Sequence, residues 1–173
     1  SFYIGRSERH FTGGGVVERA FLQNFLMPEK FDRLPDGMIP MCYPADFSDG
    51  NHYIPNWSMF FVLELEEYLG RTGDRKMVDA AKGRMMELLS WFRGYENADG
   101  LLEKLPLWNF VEWSRANQWV QDVNYPTNML YYRILHVFAQ VLERPELLEK
   151  AAHVKAQIIR QAYVNGFFQD HAV

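Results

Sequence analysis

Ile54-Pro55-Asn56-Trp57 opens an apolar run at helical spacing, with Phe60-Phe61 one turn on. Gly73-Asp74 breaks it, an amphipathic run follows to Phe92, and Asp99-Gly100-Leu101-Leu102 closes the unit. The plan recurs 71 residues later. Tyr125-Pro126-Thr127-Asn128 opens the second copy, Arg144-Pro145 breaks it, and Asn165-Gly166-Phe167-Phe168 closes it. In this register, without a gap as far as Tyr163, Phe60-Phe61 falls on Tyr131-Tyr132, Met77 on Leu148, Ala80-Ala81 on Ala151-Ala152 and Phe92 on Tyr163. One helical hairpin cannot bury its own apolar face, so a repeat of helix, turn, helix and long loop predicts stacked hairpins. A third Asp-Gly signal, Asp36-Gly37-Met38-Ile39, has only a short helical run before it. The fold expected is all-α, with about two and a half hairpins and long loops.

The helices are expected at 14–27, 57–70, 74–93, 128–142 and 145–163, with the first hairpin's opening helix mostly missing. Val17, Ala20, Phe21, Asn24 and Phe25 share a face of the first. Trp57–Leu69 and Leu130–Leu142 are apolar nearly all round, which marks buried helices. Met77, Ala81, Met85, Leu88 and Phe92 face inward on one partner run, and Leu148, Ala152, Ile158, Ile159 and Tyr163 on the other. Alternating buried and surface helices build an arc or ring of two layers. A four-helix bundle would make all four helices about equally amphipathic. Glu64, Glu66 and Glu67 are read as a solvated helix tip, and Asn56 and Thr127 as N-caps.

The 173 residues carry a net charge of -4 with both signs mixed, which leaves no electrostatic footprint for nucleic acid or anionic membrane. No apolar run approaches the ~20 residues of a membrane span. A single cysteine, Cys42, excludes an internal disulfide and argues against a cysteine-based zinc site. The five histidines form no ligand-spaced pair, so neither metal nor cofactor is expected. The chain opens on Ser1-Phe2-Tyr3-Ile4 and closes on Asp170-His171-Ala172-Val173. It reads as one partial domain over 1–173, truncated at both ends. Open apolar sides on such a piece lead us to expect self-association, as a symmetric dimer.

The long connections, 36–56 and 99–127, exceed ordinary loop lengths and feed the N-terminal ends of the buried helices. Short β-pairs within them are compatible with the sequence. The first carries Asp46 and ends at Asn56-Trp57; the second carries Trp108, Phe110, Glu112 and Trp113 and ends at Tyr125. Flat rings beside Asn, Asp and Glu suit a sugar, whose apolar face stacks while its hydroxyls need fixed donors and acceptors. The alternative is that the rings fill the gap between hairpins. Asp46, Asn56, Trp57, Trp108, Glu112, Trp113, Tyr125 and Asn128 form the expected substrate wall. Alternation sets Phe110 and Glu112 against Val111 and Trp113; a ring-flanked Glu112 could serve acid-base work, bind hydroxyls or pair with Arg115.

Asp36-Gly37-Met38-Ile39-Pro40, Tyr43-Pro44, Ile54-Pro55-Asn56-Trp57 and the closing Thr72-Gly73-Asp74 resemble the bacterial α-L-rhamnosidases. Glu112-Trp113 stands where that family often carries Asp-Trp, and Asn128-Met129-Leu130-Tyr131-Tyr132 is similar to the start of the helix that follows. The resemblance implies an (α/α)6 toroid and hydrolysis of terminal α-L-rhamnose with inversion by two carboxylates. The family's acid motifs, Asp-x-Pro-x-Arg-Glu and Trp-x-x-Asp, are not in the chain, and its base is expected beyond Val173. The isolated chain is therefore expected to be inactive. Another six-hairpin glycosidase, a toroid polysaccharide lyase and a non-catalytic helical-repeat module stay open as alternatives.

Overall fold

The computed structural model describes residues 2–29, 31–43, 53–110, 113 and 122–171. Six helices lie among them: α1 (Phe2–Phe11), α2 (Val16–Asn24), α3 (Pro55–Thr72), α4 (Arg75–Arg93), α5 (Tyr125–Val141) and α6 (Glu146–Ala162). They pair as three antiparallel hairpins, with α1, α3 and α5 side by side in one layer. The first hairpin is short, with helices of ten and nine residues against seventeen to nineteen in the others. The expected set of helices omits α1 because its sequence shows no apolar stripe; only Phe2 and Gly5 are buried. A β-hairpin, β1 (Tyr163–Val164) with β2 (Phe167–Phe168), ends the described chain. Its Asn165-Gly166 turn has φ of 53° and 87°, the paired positive values that a two-residue turn of matching twist needs.

The helix ends show why the proline positions matter. α3 starts behind Ile54, with Pro55 at its first position, where a missing N–H costs nothing. α5 starts behind Asn124, whose Oδ1 accepts from the Thr127 backbone N–H at 2.8 Å. The caps thus precede the prolines, and Asn56 and Thr127, expected as caps, lie inside the first turns. Between α3 and α4, Gly73 takes the left-handed conformation and Asp74 caps α4 through the Met77 N–H. Gly37 lies so close to α4 that a β-carbon there would stand 2.6 Å from the Glu87 carbonyl oxygen.

Burial confirms the inward face of α4 but shifts that of α6. Met77, Ala81, Met85, Leu88 and Phe92 are buried, as expected. On α6 the buried stripe is Leu147, Ala151, Val154, Ile158 and Ala162, while Leu148, Ala152, Ile159 and Tyr163 are exposed. The buried faces of the second unit thus run one residue short of the 71-residue register, in α6 (Leu147 for Met77) and in α5 alike (Tyr131 for Phe61). On α2, Val17 and Ala20 are exposed, and Glu18 and Leu22 are buried with Phe25. The Glu64 reading is also corrected: it is only 3% exposed, in the middle of α3, while Glu66 and Glu67 are half-buried.

Candidate functional site

α3 and α5 run parallel. Asn56 Nδ2, in the first turn of α3, donates to Thr127 Oγ1, in the first turn of α5, at 2.8 Å. Further along, Arg133 of α5 pairs with Glu66 of α3. The two inner helices therefore present their N-terminal ends on one rim. Thr127 Oγ1 donates in turn to Asn109 Oδ1 at 3.0 Å, which ties the second long connection to that rim.

Aromatic rings then build outward from α3. Trp57 meets Phe110 edge-on, with centroids 6.2 Å apart. Phe110 packs against Trp108 and Trp113, both at 5.0 Å, and the two tryptophans meet each other at 5.2 Å. Alternation put Phe110 and Trp113 on opposite sides; instead they pack together. Trp113 is 79% exposed and Trp108 is exposed as well, so the cluster offers ring surface to solvent. Edge-on packing fixes each ring through its neighbour's quadrupole and leaves one face free.

Beside this wall a cavity of about 620 Å³ opens between α1, α2, α3 and the first turn of α5. Phe2, Phe21, Phe25, Phe60, Phe61 and Trp57 are among its lining rings, and Asn56, Thr127 and Glu64 are among its polar groups. Burial, reinforced by the nearby Glu18 carboxylate, pushes the Glu64 carboxyl up to about 7. Glu18 is itself raised by burial, although the Arg71 guanidinium binds it and pulls the other way. Arg71 also pairs with Glu67.

The other expected site residues fall in different places. Asn128 is fully buried and its amide is consumed by the fold: Oδ1 accepts from the Leu102 N–H at 2.7 Å, and Nδ2 donates to the Leu102 and Asn124 carbonyls. It pins the Asp99–Leu102 turn under α5 and is not at the cavity. Tyr125 is buried, its hydroxyl donating to Gln161 Oε1 at 3.3 Å, also away from the cavity. Asp46 and Glu112 lie outside the described residues. Residues the sequence reading left out of the expected wall are Phe110, which links the rings, and Thr127, read only as a cap. Their signal was available: Thr127 is the 71-residue counterpart of Asn56. Glu64 could have been found on the Trp57, Phe60, Phe61 and Tyr68 stripe.

Parallel inner helices, outer helices packed behind them and an aromatic rim on long connections define the helical-hairpin glycosidase class. Residues 16–172 match the bacterial alpha-L-rhamnosidase six-hairpin glycosidase domain, and the chain belongs to that family. Among solved structures it is similar to a GH78 family rhamnosidase of Bacillus sp. GL1, at 20% identity with a TM-score of 0.60. The likeness covers 72% of this chain and 13% of that one, and it is a likeness of fold. No curated protein matches.

Proposed function

We propose that the chain forms the middle of the catalytic domain of a glycoside hydrolase that cleaves terminal α-L-rhamnosides with inversion. The observation that carries this reading is the ring wall of Trp57, Phe110, Trp108 and Trp113 on the shared rim of α3 and α5, in a chain of this family. The wall supplies stacking surface for a pyranose, and Asn56 and Thr127 supply polar atoms beside it. A sugar pocket of this kind, mostly apolar with a few fixed polar groups, positions its ligand for chemistry done by others. The general acid and base come from further hairpins of a longer domain, in keeping with the 13% of the solved relative that this chain spans. Glu112 and Asp46 join the proposed site on the sequence alone.

The test is an assay on 4-nitrophenyl α-L-rhamnoside with the chain alone and with the longer protein that contains it. The longer protein should release nitrophenol and β-L-rhamnose first, as inversion requires. The chain alone should lack general-acid assistance, a factor on the order of 10²–10⁴. Turnover by the chain at the longer protein's rate, or first release of the α-anomer, would contradict the reading.

A further inference from the structure

The first hairpin rests on a pair of buried carboxyls. α1 buries only Phe2 and Gly5. Phe2 forms part of the cavity wall and meets the Phe60 ring at 5.5 Å. Gly5 lies directly over the carboxyls: a β-carbon there would stand 2.5 Å from Glu18 Oε1 and 3.2 Å from Glu64 Oε1. Glu18 comes from α2 and Glu64 from α3, and each is 3% exposed. The carboxyls therefore meet where the three helices join. The arginines of this joint are engaged elsewhere. Arg71 binds Glu18 and Glu67, and Arg6 Nε donates to Glu67 Oε2 at 2.9 Å. Glu8 of α1 accepts from the Val17 and Glu18 backbone N–H groups, which ties α1 to α2.

We propose that Glu64 is a proton-operated latch of the first hairpin: protonated, it lets α1 and α2 seat on α3; ionised, it drives them off and opens the cavity on that side. The inference does not depend on the glycoside reading. A neutral carboxyl can lie against the Glu18 carboxylate, whereas an ionised one adds a second negative charge in a place closed to water. Arg71 and the N-terminal ammonium attract Glu64 through space, but burial outweighs them, Glu18 and Glu67 repel it, and its carboxyl is pushed up to about 7. That value stands above the ordinary 4.5, so the seat is intact below pH ~4.5 and is lost as pH rises through about 7. Over this window the ratio of seated to released hairpin falls by up to about 300-fold. The first hairpin is the part that gives way because least holds it. α1 and α2 have two buried residues each against ten in α3, and thinly packed segments open below the cost of global unfolding. Tyr3, Cys42 and Tyr43 are the other titratable groups of the cavity wall. His10 lies outside it, beside Arg6, Arg9 and Glu67.

The experiment follows the NMR signals of the whole chain from pH 4.5 to pH 8.5, unsubstituted and as Glu64→Gln and His10→Asn. The Gly5 and Gly15 amides report on the first hairpin, and the Leu102 amide and Trp91 indole, both buried, on the rest. In the unsubstituted chain the Gly5 and Gly15 signals should move together toward random-coil positions as pH rises. They should share one curve with the Glu64 side-chain carboxyl, while Leu102 and Trp91 keep their native positions. Glu64→Gln should hold the Gly5 and Gly15 signals at their acid positions up to pH 8.5, and His10→Asn should leave the curve unchanged. If Glu64→Gln does not fold, the shared curve in the unsubstituted chain still decides. First-hairpin signals that stay in place, that follow a different curve from the Glu64 carboxyl, or that still move in Glu64→Gln would overturn the inference. Loss of the response in His10→Asn would overturn it too. So would Leu102 and Trp91 leaving their native positions together with Gly5, since the whole chain would then be unfolding.

Discussion

Glu64 is the residue whose chemistry departs most from its sequence context. Burial disfavours its charged form and outweighs the attraction of the N-terminal ammonium and of Arg71, while Glu18 and Glu67 add repulsion. Its folded pKa of about 7 lies above the ordinary 4.5, so the folded state binds the proton more tightly than the unfolded chain. Its contribution is fully present below pH ~4.5 and is lost as pH rises through about 7. The loss amounts to about 3 kcal/mol at most by linkage. Glu67 has the opposite sign: the Arg6 hydrogen bond lowers its pKa, so its contribution is lost only in acid, outside this window. The thermal midpoint should therefore fall between pH 5 and pH 8.5, and Glu64→Gln should flatten the profile. A wild-type midpoint independent of pH across that range would contradict the assignment.

Asn128 makes a second prediction at this scale. Three hydrogen bonds converge on its buried amide, and two of them hold Leu102. Asn128→Ala leaves the Leu102 N–H and C=O without those partners and should cost about 2–4 kcal/mol in urea unfolding, at roughly 1 kcal/mol per bond plus the unpaired groups. A loss under 0.5 kcal/mol would mean that the turn stands without the side chain. The sequence marked Asn128 as polar beside a buried helix, which is equally the signature of a sugar-binding residue. What separates the two roles is Leu102, 26 residues away in the chain, and no local pattern carries that.

At the scale of the helix, α6 shows how far periodicity reaches. The alternation of buried and surface helices was legible because α3 and α5 are apolar nearly all round and α4 is one-sided. The face of α6 was not, because its apolar residues come as doublets: Leu147-Leu148, Ala151-Ala152 and Ile158-Ile159. Either member of each doublet satisfies a 3.6-residue period. The offset precedes this helix, since α5 already starts 70 residues after α3. The buried and exposed members make a direct comparison. Leu147→Ala should cost about 2–5 kcal/mol through its cavity, and Leu148→Ala within about 0.5 kcal/mol. Reversed magnitudes would restore the gapless register. The aromatic rim was legible for a different reason: tryptophans on a long connection have few other uses. Phe110 as the link between them depends on a loop conformation that sequence does not encode locally.

For the molecule as a whole, apolar surface is exposed in other places than the sequence led us to expect. Trp57–Leu69 and Leu130–Leu142 are buried or half-buried for the most part; besides the rim tryptophans, exposed rings lie at Tyr3 and Phe11 and at Tyr163, Phe167 and Phe168. The equivalent turn of the earlier unit, Leu101-Leu102, is buried beneath α5. Exposed clusters of this kind favour association. We expect the apparent mass in light scattering to rise with micromolar concentration, and Phe167→Ser with Phe168→Ser to lower it. A concentration-independent monomer mass without dye binding would contradict this.

The central claim is that the rim shared by α3 and α5 faces a sugar. The five tryptophans make it directly measurable, since each gives one indole N–H signal assignable by Trp→Phe substitution. On titration with methyl α-L-rhamnoside, the Trp57 and Trp113 signals should shift together with one saturation curve. The Trp91 signal should stay in place, because that ring is buried against Tyr53, Phe92 and Tyr95. Shifts confined to Trp91, equal shifts in all five, or none at the highest glycoside concentration would contradict the account.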